Sequence, residues 1–119
     1  FPGVLWGGVN GLSEFVTKTE IEDGLHASLA ETSLMLALKP ELVGDERPNE
    51  CINGAIPEGW SLEGNAPTAW LTDDFSKSGV IGDSRGANES LGKNLKELLI
   101  NHWFKLIMNL MQSDWPNNS

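Results

Sequence analysis

The strongest constraint on this chain is one long apolar stripe near its end. Leu91, Leu95, Leu98, Leu99, His102, Trp103, Leu106, Ile107 and Leu110 recur at the three- and four-residue spacing of a single helical face, while Lys93, Lys96, Glu97 and Lys105 lie on or beside the polar face. The pattern predicts a helix from about Asn88, or from Ser84, to about Met111, stopped by Asp114-Trp115-Pro116. Its last two turns are hydrophobic almost all round, and such a helix has to be covered. At 119 residues there is room for one small domain. The cover is therefore expected from something larger than this chain supplies.

A second helix is written at residues 28–39, where Leu29, Ser33, Leu34, Ala37 and Leu38 fall on one stripe. Ser28-Leu29-Ala30-Glu31 fits a capping box, in which hydroxyl and carboxylate satisfy each other's backbone N–H groups. Pro40 disfavours helical geometry at Lys39 and ends the helix. Ahead of it, residues 1–27 read as a loop region. Val4 to Trp6 could end a strand, Asn10-Gly11 signals a turn, and residues 18–24 form a polar loop with concentrated negative charge.

Residues 40–83 read as an irregular segment with short strands, and residues 84–112 as the C-terminal helix. Pro48, Pro57 and Pro67 and Gly44, Gly54, Gly59 and Gly64 punctuate the middle. Asn53-Gly54 offers at best one short hairpin, and Thr68 to Asp73 and Gly79 to Gly82 read as short extended pieces.

Charge and cysteine content exclude several classes. Eight Lys and Arg stand against 17 Asp and Glu, for a net charge of −9. Phosphate recognition rests on clustered Lys and Arg, so neither a nucleic acid nor an anionic membrane is an expected partner. No run of ~18 apolar residues is present to span a bilayer. Cys51 is the single cysteine and cannot form an intramolecular disulfide, which favours a reducing, cytoplasmic setting. Asn88-Glu89-Ser90 matches a glycosylation acceptor but reads as accidental in that setting.

Candidate chemistry centres on His26. It stands just before a helix start, in a loop holding Glu20, Glu22 and Asp23, with Glu31 on the first helical turn. A histidine beside carboxylates can be held in one tautomer and poised near neutral pH, as a general acid or base requires. His102, among Leu and Trp on the long helix, reads as a packed residue. Two His and one Cys, none at ligand spacing, make no zinc site. Gly7-Gly8-Val9-Asn10-Gly11 lacks the lysine of a phosphate loop, and Cys51 has no neighbouring base to activate it.

The stretch His26-Ala27-Ser28-Leu29-Ala30-Glu31-Thr32-Ser33, continuing through an apolar run to Lys39-Pro40-Glu41-Leu42-Val43, resembles the signature of the creatininase (creatinine amidohydrolase) family. Gly79-Val80-Ile81-Gly82-Asp83, followed by Ala87, Gly92 and an amphipathic helix, resembles the way members of that family close. Two ordered matches cover about residues 20–110. The resemblance implies an α/β protein, a three-layer α/β/α fold with a mostly parallel sheet, of which this chain supplies the C-terminal portion.

It also implies a metal-dependent amidohydrolase that cleaves a C–N bond of a small cyclic amide or formamide, creatinine-like in class, by metal-activated water. By resemblance His26 contacts substrate and shuttles the proton to the leaving nitrogen, Asp23 contacts substrate, and Glu31 is a signature carboxylate orienting His26. Zinc and/or manganese are implied as cofactors, bound mainly by residues outside this chain. The implied partners are the N-terminal half of the same fold, a small-molecule substrate and further copies in a homo-oligomer. Glu22 and Leu25 stand where creatininase carries Trp and Glu, and Ser28 where Gly is usual, so no aromatic wall for a flat ring is expected there.

Opening on Phe1 rather than Met, the chain is expected to be about half of a metallohydrolase. A split or degenerate relative, acting as a non-catalytic interaction subunit, is the alternative. An acidic α+β domain with coincidental motif matches is a third reading.

Overall fold

The computed structural model describes residues 6–50, 56–63 and 65–116. Among these, α1 runs over Lys18–Asp23, α2 over Leu29–Leu38 and α3 over Glu89–Gln112. The β structure among the described residues is small. Strand β1 (Asn49–Glu50) pairs antiparallel with β2 (Gly82–Asp83), placing Asn49 opposite Asp83 and Glu50 opposite Gly82. Isolated bridges join His26 to Ile81, antiparallel, and Ser61 to Pro67, parallel. These elements are compatible with an α/β chain, and no layered parallel sheet stands among the described residues.

Both periodic segments form helices close to their expected bounds. Asn88 caps α3 by accepting the N–H of Leu91 at Oδ1 (2.9 Å) while its Nδ2 donates to Gly86 O (2.9 Å). The asparagine of the apparent glycosylation acceptor is thus part of a helix start. α2 lies against the first half of α3, where Leu95 and Leu99 are buried. Gly92 permits that approach: a Cβ there would overlap the carbonyl oxygen of Ser33 on α2.

Two expectations about secondary structure are corrected. The piece expected to be extended from Thr68 to Asp73 runs into a 3-10 helix over Thr72–Asp74. Residues 18–23 are not a loop but a helix, capped at Thr17, whose Oγ1 accepts the N–H of Glu20 (3.2 Å). Only Ile21 breaks the polarity of Lys18-Thr19-Glu20-Ile21-Glu22-Asp23, so the segment carries no apolar stripe to betray it. The strand end expected at Val4–Leu5, the Asn53-Gly54 hairpin and Cys51 lie outside the described residues. Trp6, the next residue along, is helical.

Polar ties join the described residues of the middle segment, beside its buried Leu62, Val80 and Ile81. The Glu50 carboxylate accepts from Ser78 Oγ (2.6 Å), Lys77 N (2.9 Å), Ser78 N (3.0 Å) and Ser76 Oγ (2.8 Å). Led by the Ser78 hydroxyl, these donors favour the charged form and hold Glu50 down at about 2, against an ordinary 4.5. Buried Ser84 ties the same region to Pro48, whose carbonyl accepts from its Oγ (2.6 Å) and N–H (3.0 Å). Trp70 donates to Leu62 O (3.0 Å) and meets the Phe75 ring edge-on at 5.7 Å.

The buried apolar set among the described residues is Val16, Leu62, Val80, Ile81, Leu95 and Leu99. Beyond it the stripe of α3 runs into the open. Ile100, Phe104, Ile107, Leu110 and Met111 are all more than half exposed, with Phe104 at 63% and Met111 at 74%.

Gly92→Ala should destabilise by about 1–3 kcal/mol through overpacking against Ser33, although helix propensity alone would favour alanine by ~1 kcal/mol. Urea unfolding that shows equal or greater stability would contradict the close approach. Glu50 sets a pH dependence. A carboxyl depressed on folding adds stability that is complete above its unfolded value and lost as pH falls through the folded one. The melting temperature should therefore fall between pH 4.5 and about 2, with a shallower fall in Glu50→Gln. Parallel slopes for the two proteins would show that Glu50 is not the group responsible.

Candidate active site

The signature residues assemble around the connection from α1 to α2. α1 closes at Gly24, whose N–H donates to Glu20 O (3.0 Å), and a Cβ at Gly24 would lie 2.7 Å from the Glu20 carboxylate carbon. The chain then pairs with the segment before β2: the N–H groups of Leu25 and His26 both donate to Ile81 O (2.9 and 3.2 Å), and Ile81 N–H donates to His26 O (2.8 Å). His26 is thereby fixed through its backbone while the residue remains exposed.

The next residue, Ala27, sits at φ 50, in the left-handed region that an alanine rarely occupies. Two side chains from the first turn of α2 grip it. Ala27 N–H donates to Glu31 Oε2 (2.6 Å), and Thr32 Oγ1 donates to Ala27 O (2.8 Å). The third member of the Glu-Thr-Ser triplet reaches elsewhere: Ser33, at 0% exposure, accepts the N–H of Asn88 at Oγ (3.1 Å) and so docks the start of α3.

The expected capping box does not close as written. Ser28 makes no side-chain cap of its own helix. Its hydroxyl, buried at 2% exposure, donates to Glu20 Oε2 (2.6 Å) and accepts the N–H of Asp83 (3.1 Å). The start of α2 is capped instead by Glu20, whose Oε1 accepts the N–H of Ala30 (2.8 Å). Glu31 satisfies the amide of Ala27 rather than that of Ser28. A tertiary carboxylate has displaced the local one.

Asp23, His26 and Glu31 thus lie within one short stretch, and they are not joined by side-chain hydrogen bonds among the described residues. Asp23 is exposed at the end of α1, His26 is exposed on the paired segment, and Glu31 is half-buried beneath Ala27. Any orientation of His26 by Glu31 runs through the backbone of Ala27. A cavity of about 220 Å³ opens beside them, with Trp6, Glu20, Leu25, Ser28, Glu31 and Glu63 in its walls. Asp23 and His26 are not in its lining.

Asp83 ends the second signature stretch. Its carboxylate accepts from Arg85 Nε and Nη2 (both 2.9 Å) and from Arg85 N (3.0 Å), which holds it below the usual carboxylate range. His102 is half-buried, with Nε2 shielded from solvent and without a hydrogen-bond partner among the described residues, and its ring meets Trp103 edge-on at 5.8 Å. Its surroundings are those of a packed residue. Among the described residues no group of three or more His, Cys, Asp or Glu side chains could hold a metal ion. The donors for the implied zinc or manganese are not assembled here.

The contacts around the signature that sequence reasoning missed are those of Glu20, Thr32 and the glycine pair Gly24 and Gly82. Gly82, at φ 133, has no room for a side chain, because a Cβ would lie 2.8 Å from Ser28 Cβ. The signal for Glu20 was present: Thr17-Lys18-Thr19-Glu20 has the spacing of a helix start.

The model of the creatininase family, described as creatinine amidohydrolase, matches residues 2–107. The chain belongs to that family. Membership points to metal-dependent amidohydrolase chemistry and removes coincidence as an explanation of the two motifs. Neither a curated protein nor a solved structure matches the chain. No helix among the described residues is long and apolar enough to cross a membrane.

Replacing Glu20 by Ala should uncap α2 and leave the buried Ser28 hydroxyl without its acceptor, a combined loss of about 1–3 kcal/mol. Glu31→Ala should leave the Ala30 cap in place. Equal helix loss by circular dichroism in the two variants would contradict the assignment of the cap to Glu20.

Proposed function

We propose that this chain is the substrate-side portion of a cytoplasmic, metal-dependent amidohydrolase with a three-layer α/β/α fold. Its substrate is a small cyclic amide or formamide of the creatinine class, and the reaction is hydrolysis of a C–N bond. The observation that carries this reading is an exposed imidazole on a backbone held from both sides, by Ile81 and by the Glu31 and Thr32 grip on Ala27. Reactive groups held on over-determined backbone are a recurrent feature of active sites.

Hydrolysis places a hydroxyl on the carbonyl carbon and a proton on the departing nitrogen. His26 delivers that proton, Asp23 contacts the substrate beside it, and Glu31 fixes where His26 stands. The residues described here do not fit a metal cradle, so the zinc or manganese ligands belong to a complementary, N-terminal part of the fold. The exposed apolar turns of α3 supply a surface for that part or for another copy in a homo-oligomer. The same surface favours a second reading, a non-catalytic subunit that docks through α3.

The test is turnover of a cyclic amide and of a formamide by the assembled, metal-loaded protein. His26→Ala should lower kcat by roughly 10²–10⁴, the usual size of a general acid–base contribution, with bound metal unchanged. Undiminished turnover in that variant would remove His26 from the mechanism. An assembled protein that hydrolyses neither substrate would favour the docking subunit.

A further inference from the structure

We propose that Thr32 is a positioning residue for His26, acting with Glu31 as a two-point clamp on Ala27. The inference deepens the reading of His26 as proton shuttle and rests on it for its kinetic consequence; the clamp itself does not.

Ala27 is the residue through which the chain turns from the His26–Ile81 bridge into α2, and it does so at φ 50. For an alanine the left-handed region costs about 1–2 kcal/mol, so the conformation persists only where its surroundings impose it. Here both polar groups of Ala27 are held by one helical turn. Its N–H donates to Glu31 Oε2 at 2.6 Å and its C=O accepts from Thr32 Oγ1 at 2.8 Å. Adjacent residues on a helix point about 100° apart, so Glu31 and Thr32 can approach the same residue from two directions.

Releasing the carbonyl leaves Ala27 free to rotate toward its ordinary conformations. Ala27 itself then keeps the Glu31 carboxylate on its N–H, while Ser28 beyond it stays tied to Glu20 and Asp83. The bridge to Ile81 holds the His26 backbone from the other side, through Ile81 N–H to His26 O at 2.8 Å. A side chain between two anchors is directed; between one anchor and a loose turn it is not. The glutamate and the threonine of the signature therefore serve one purpose, which is to fix the direction in which the exposed imidazole leaves the chain.

The test compares Thr32→Val, which keeps the shape and removes the hydroxyl donor, with Thr32→Ser, which keeps the donor. The first readout is the ring carbon–proton signal of His26 by NMR, with His102 as internal control. Thr32→Val should move or broaden the His26 signal and leave His102 in place, and Thr32→Ser should restore it. A His26 signal unmoved in the valine variant, or moved equally in both, overturns the clamp. Should the valine variant fail to fold, exchange of the Thr32 hydroxyl proton in the unaltered protein decides instead: a slowly exchanging hydroxyl supports the clamp and one that exchanges at the free-solvent rate overturns it.

The second readout is kinetic, on the assembled, metal-loaded protein. Thr32→Val should lower kcat ~10–100-fold, the scale of a misdirected catalytic group, with KM altered less than about twofold, and Thr32→Ser should recover the rate. A loss in KM alone overturns the positioning role. An unaltered protein that hydrolyses no amide while its His26 signal still responds to Thr32→Val contradicts the proposed function and leaves the clamp standing.

Discussion

One buried hydroxyl holds the site region together. Ser28 Oγ lies between the Glu20 carboxylate on α1 and the Asp83 amide on β2, so the connection from α1 to α2 meets a strand 55 residues further on at a single oxygen. A buried hydroxyl without partners would cost on the order of 1–3 kcal/mol, and here both its donor and its acceptor capacity are used. Gly24 and Gly82 make room for it, since a Cβ at either would meet Glu20 or Ser28.

The two sequence matches that identify the family are neighbours in space. Ile81, in the second, pairs with His26, which opens the first, and Asp83 meets Ser28. Each residue of the Glu-Thr-Ser triplet makes a separate structural contact, in that Glu31 and Thr32 hold Ala27 from its two polar groups and Ser33 receives the start of α3. Their importance can be understood without any of them touching substrate. His26 stays exposed on this framework.

What was legible in the sequence, and what was not, divides along the range of the forces involved. The helices over residues 29–38 and 89–112 rest on apolar periodicity with local stops, and both appear close to their expected bounds. The capping pattern occurs twice, at Thr17 to Glu20 and at Ser28 to Glu31, and each time a helix does start there. The hydrogen bonds themselves were not legible. Glu20 reaches past its own helix to Ala30 and Ser28, and Ser28 turns to Asp83, because tertiary partners compete with local ones and nothing in a four-residue spacing encodes them. In the same way the middle segment reads as irregular with short strands, and among its described residues an organising contact, Glu50 in the cup of Ser76, Lys77 and Ser78, joins residues 26 to 28 positions apart. The covering of α3 was anticipated as a need, and the exposed Phe104, Ile107 and Met111 leave that need standing.

Under the proposed function, the residues of this framework lie on the substrate side and the metal cradle lies in the complementary part of the fold. The most direct test of that separation is the zinc and manganese content of the 119-residue chain after equilibrium dialysis, measured beside the assembled protein. Stoichiometric metal in the assembly, with well under one equivalent retained by the chain alone, is the result expected. A full equivalent held tightly by the 119 residues would contradict it.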